Sequence, residues 1–124
     1  MFKRLLKAAT LACLPLAAFA GEPPDDWDRV VAEARGGEGN FFLWGGSDAI
    51  NQYVTEFIGS RLKARYDIRL NRVGINDTVE AVNIVLGEKT AGVVEGGAVD
   101  LIWINGENFR TMKQGGLAFC GYVE

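Results

Sequence analysis

Phe41, Phe42, Leu43 and Trp44 run directly into Gly45, Gly46, Ser47 and Asp48, and no other junction limits the fold of this chain as much. Four consecutive large apolar residues fit a strand buried on both faces, as in a parallel sheet, rather than a strand with one wet side. Two glycines and a Ser-Asp pair then turn the chain into a helix, with Ser47 or Asp48 accepting from its first N–H groups. The unit is strand, loop, helix. In open α/β sheets, ligands bind at loops of this kind, at the carboxyl ends of the strands.

The same alternation runs through the chain. Asp25 or Asp26 opens a first helix in which Trp27, Val30, Val31 and Ala34 recur at helical spacing, with Trp27 read as packing and Gly36 and Gly37 as the stop. A strand over about Asn40 to Trp44 leads into one long helix whose stripe is Ile50, Tyr53, Val54, Phe57, Ile58, Leu62 and Tyr66. Ile68, Leu70 and Val73 alternate with Arg69, Asn71 and Arg72, as in an edge or near-edge strand. Asp77 and Glu80 form a capping box for a helix that buries Val79, Val82, Val85 and Leu86 and ends at Gly92. Val93 to Ala98 reads as a surface turn, and Val99 to Ile104 as a second central strand. Asn105, Gly106, Glu107 and Asn108 then open a short helix carrying Phe109 and Met112, stopped by Gly115 and Gly116. The order predicts an α/β fold, a parallel sheet with helices on both faces and right-handed crossovers.

Residues 1–20 stand outside that fold. Lys3, Arg4 and Lys7 precede an apolar run from Ala8 to Phe19, and Ala18, Phe19, Ala20 make an A-x-A site before Gly21, the pattern of a cleavable signal peptide. The run is too short for a membrane span, which needs roughly 20 apolar residues. Thr10, Leu11 and Ala12 make a poor lipobox for Cys13. Removing the leader takes away three basic residues and no acidic ones, so the formal charge goes from −3 to −6. An acidic exported chain has no electrostatic reason to seek nucleic acid or anionic lipid. Only Cys120 remains, so an internal disulfide is excluded, and its role is open. The absence of histidine excludes Ser-His-Asp and Cys-His nucleophiles and His-ligated zinc, leaving carboxylates as the chemistry for any enzyme. No metal site or cofactor motif is found; no G-K-[ST] is present, and Gly36, Gly37 and Gly39 precede a strand rather than follow one.

Two loops leave the carboxyl ends of apolar strands. Trp44, Gly45, Gly46, Ser47 and Asp48 form one; Asn105, Gly106, Glu107 and Asn108, beside Trp103, form the other. If the strands are neighbours, the loops face one crevice with N–H groups, a hydroxyl, two carboxylates and two amides. Helix N-termini favour an anionic ligand group. Asp48, Glu107 and the tryptophans favour a cation. A zwitterion or a phosphorylated cation satisfies both. The bland reading makes the glycines a turn, Ser47 and Asp48 caps, Glu107 first-turn charge and the tryptophans core.

Trp44 to Asn51, Asp77 to Val82 and above all Asp100 to Phe109 resemble the solute-binding subunits of bacterial ABC importers, in the branch of putative thiamine, polyamine and iron binding proteins. The resemblance implies that residues 21–124 are part of the N-terminal lobe of a type II periplasmic-binding-protein fold. It further implies a periplasmic protein, not an enzyme, that binds a small-molecule solute between two lobes and delivers it to permease subunits in the inner membrane. Such a protein is a monomer at full length. It also implies that the chain is a fragment, whose apolar tail from Gly116 to Val123 continues into further fold. Two other classes stay open: an exported hydrolase using Asp48 and Glu107 as acid and base, and a sensor or interaction lobe.

Overall fold

A computed structural model of the chain describes residues 26–118. The signal peptide with Cys13, the lead-in through Asp25, and the tail from Phe119 with Cys120 lie outside the described residues. Among the described residues no helix is long and apolar enough to cross a membrane.

Helix α1 (Trp27–Ala34) is capped by Asp26, whose carboxylate accepts from the N–H groups of Asp28 and Arg29. Strand β1 (Glu38–Trp44) follows, then α2 (Asp48–Gln52), a π-helical segment (Tyr53–Gly59) and α3 (Ser60–Tyr66). Next come β2 (Arg69–Ile75), α4 (Thr78–Thr90), β3 (Leu101–Ile102) and α5 (Gly106–Gln114). The three strands are parallel in the order β2-β1-β3, so β1 is the middle strand. The expected α/β alternation with a parallel sheet is therefore present, and β2 is an outer strand as its wet side implied.

Side chains alternate across the sheet. Phe42, Ile75 and Ala81 of α4 form one buried cluster, edged by Val73, Val99 and Ile102. Leu43 is fully buried on the opposite face of β1, the face on which the π-helical segment packs against β2, and Val54 is the side chain of that segment that goes fully inside. Full burial of such a side chain is worth about 1.5–3 kcal/mol.

Several finer expectations are corrected. The long helix is not one regular element: a π-helical stretch separates α2 from α3, while Ile58, Leu62 and Tyr66 stay partly buried as the stripe implied. Val54 turns inward while Tyr53 and Phe57 stay outside, stacked at 4.9 Å between ring centroids, with the Arg61 guanidinium 3.5 Å from the Phe57 centroid. In α4 the buried side chains are Ala81 and Val82, and Val79 and Leu86 are exposed. Small Ala81 lets the helix lie close on Phe42 and Ile75. The capping box of Asp77 and Glu80 is present. The helix ends at Thr90, and Gly92 follows with φ +76°. The run from Val99 to Ile104 is ladder only at Leu101 and Ile102, an outer strand among the described residues rather than a central one, and Leu101 is exposed. Trp27 lies on α1 and is 64% exposed.

Asp67 ends α3 in the left-handed region at φ 59° and pairs with Lys63. The hydrogen bond and charge of Lys63, with a further contribution from Arg35, hold its carboxyl below the ordinary value of 3.8. A lowered folded value stabilises the fold above the ordinary carboxyl range, and that contribution is lost as pH falls through it. Asn accepts the same backbone. Asp67→Asn is therefore expected to be less stable than the parent at neutral pH in urea unfolding, with the gap closing as pH drops below 3.8; a gap independent of pH would contradict the pairing. Leu43→Ala is expected to cost about 2–5 kcal/mol in the same assay, against less than about 1 kcal/mol for exposed Leu101→Ala.

Candidate functional site

Because β1 lies between β2 and β3, the turns leaving β1 and β3 open side by side. The segment leaving β1 packs toward β2 on one face, while α5, leaving β3, packs against α4 on the other. Adjacent strands whose exits diverge to opposite faces leave a crevice at their carboxyl ends. A cleft of about 260 Å³ lies there, lined by Trp44, Ile50, Thr78, Trp103, Ile104 and Asn105. That is slightly below the roughly 300–1,000 Å³ usual for a complete ligand site.

The β1 turn is held by its own polar groups. The Gly45 N–H donates to the Ile75 carbonyl at 2.9 Å, extending the ladder one residue past the strand. Asn51 donates from Nδ2 to the Gly45 carbonyl at 2.9 Å and accepts from Arg72 Nη1 at 3.2 Å. Ser47 is the cap of α2, its hydroxyl accepting from the Ile50 N–H at 3.4 Å. On the β3 side, the Trp103 N–H donates to the Phe42 carbonyl at 2.9 Å, and the Thr78 hydroxyl reaches the Trp103 carbonyl at 3.4 Å. Asn105 caps α5 by accepting from the Asn108 N–H at 3.1 Å. The first-turn N–H groups named here are thus taken up by the chain itself. Trp44 and Trp103 are left 54% and 56% exposed.

Of the residues singled out in the sequence, Trp44 and Asn105 line the cleft. Gly45, Gly46 and Ser47 shape the turn beneath it. Asp48, Gly106 and Glu107 are exposed, Asn108 is half-buried, and none of the four lines the cleft. The cleft wall therefore carries no ionisable side chain. Ile50, Thr78 and Ile104 were not singled out as site residues. Thr78 had a signal: it follows the Asp77 cap at the carboxyl end of β2, making a third turn at the same edge of the sheet. Among the described residues, no three His, Cys, Asp or Glu side chains gather as metal ligands would.

A larger hollow, about 810 Å³, lies at the amino-terminal end of the strands against Gly37, Glu38, Lys63, Asp67 and Arg69. Its charges are paired with each other, Lys63 with Asp67 and Arg69 with Glu38, so they are not free for a ligand. The smaller cleft is the better candidate because its wall keeps two indoles more than half exposed.

No protein-family model matches the chain. The chain is similar to Protein YnjB of Escherichia coli (strain K12). The two are 41% identical over 99 residues, which make up 80% of this chain and 25% of YnjB. The chain thus spans about a quarter of the length of that relative. No solved structure matches it. These findings correct the resemblance drawn from the sequence. The likeness is to YnjB, whose name states no role, and neither a solute-binding family nor delivery to an importer is supported.

Proposed function

We propose that the chain is a small-molecule-binding α/β lobe that does no chemistry of its own. One observation carries this reading: the neighbouring exits of β1 and β3 present two half-exposed indoles, two isoleucines, a hydroxyl and an amide to one cleft. Aromatic and aliphatic walls with a few fixed polar groups are the usual make-up of a ligand pocket. Catalysis would need a proton-transfer group or nucleophile within reach of the bound molecule. The cleft wall has Thr78 and Asn105 as its polar side chains, and neither has an activating partner there.

The finer fold belongs to the same proposal. A parallel sheet in the order β2-β1-β3, with the ligand turns at the carboxyl ends, supports one lobe of a type II periplasmic-binding-protein fold. The slightly small cleft is then one wall of a two-walled site.

The test is native mass spectrometry of the chain after dialysis against a bacterial metabolite extract. The expected result is a one-to-one adduct whose small molecule leaves with unchanged mass, and which Trp103→Ala weakens by roughly tenfold. Absence of any stoichiometric adduct, or conversion of the released compound to a product, would overturn the reading.

A further inference from the structure

We infer that Trp44 is a stacking platform and that the molecule bound in the cleft presents a flat, conjugated ring. The inference rests on the cleft being the binding site, and it names the class of ligand.

Gly46 carries the argument. A Cβ built on it would stand 2.1 Å from Cζ2 of Trp44, 2.5 Å from Cε2 and 2.8 Å from Cη2. Gly46 is not in the left-handed region, so this position does not draw on the backbone freedom of glycine. With the Trp44 ring where it lies, there is no room for a side chain there. Those distances put the Cβ position over the face of the indole at Cζ2 rather than in the ring plane beyond its edge. The indole is backed by the loop it belongs to, yet more than half of its surface stays open and it borders the cleft.

The open part of the indole is a flat apolar surface facing the cleft. The backing is also stiff, because Gly45 is pinned through its N–H to Ile75 and through its carbonyl to Asn51, which Arg72 holds in turn. A ring held this way gives up little freedom when another ring stacks on it, which favours binding. Trp103 brings a second open indole to the same cleft. With no charged side chain on the wall, shape and π-surface decide what is held, and Thr78 and Asn105 orient it.

The full chain carries three tryptophans, so ¹⁵N labelling gives three indole N–H signals, assigned by single Trp→Phe variants. The probes are two pairs that differ in ring saturation and not in charge: benzamide with cyclohexanecarboxamide, and benzamidine with cyclohexanecarboxamidine. The expected result is that the flat member of each pair shifts the Trp44 and Trp103 signals and binds at least roughly tenfold tighter than its saturated partner. Trp44→Leu, and Gly46→Ala if circular dichroism shows it folded, should erase that preference. Equal binding of flat and saturated members at these two indoles, or a preference that survives Trp44→Leu, overturns the ring class and leaves the cleft as a binding site. No shift at either indole with any probe overturns both.

Discussion

The pairing of β1 on both of its edges is the constraint from which everything else in this molecule follows. Its register with β2 runs from Glu38 against Arg69 to Trp44 against Ile75, and with β3 through Phe41 and Phe42 against Leu101 and Ile102. Asn40 ties the three together, donating from Nδ2 to the Ala98 carbonyl at 3.1 Å and accepting from Asn71 Nδ2 at 3.0 Å, while its N–H donates to Asp100 at 2.7 Å. With α4 packed on one face of the sheet and the π-helical segment on the other, Phe42 and Leu43 are both buried although they point opposite ways. The same placement sets the exits of β1 and β3 beside one another. Had β1 been an outer strand on the far side of β2, the turn at Gly45 and the turn at Ile104 would not share a cleft.

Energy and position are divided between the two ends of β1. Its middle residues supply apolar burial, the dominant favourable term in a domain of this size. Its carboxyl end does the reverse and leaves Trp44 open, with a glycine beneath it where a side chain would clash. An exposed indole gives up the burial it would contribute in the core and leaves its surface available to the cleft.

The alternation of elements was legible because it rests on local chemistry. The apolar run from Phe41, the cap at Ser47, the capping box at Asp77 and Glu80 and the cap at Asn105 each declare themselves within a few residues. What stayed hidden depends on contacts made at a distance. The π-helical stretch at Tyr53–Gly59 and the exposure of Tyr53 and Phe57 within it are not signalled by a 3.6-residue period, which did find Val54, Ile58, Leu62 and Tyr66 on the inner side. Val79 and Leu86 suit a buried stripe by their chemistry, but the helix settles on small Ala81 because Phe42 already fills the space. Trp44 and Asn105 were readable at the site because they sit at strand ends. Ile104 and Thr78 become site residues only once the order of the strands is known.

Among the β1–β3 backbone bonds, the one nearest the two exits is the 2.9 Å hydrogen bond from the Trp103 N–H to the Phe42 carbonyl. Scalar coupling across hydrogen bonds, measured by NMR on the ¹³C,¹⁵N-labelled chain, reads that bond directly. A correlation between the Trp103 amide nitrogen and the Phe42 carbonyl carbon is the predicted result. Coupling of the Trp103 amide to a different carbonyl, or an amide that exchanges with solvent as fast as an unstructured one, would contradict the shared cleft and every function drawn from it.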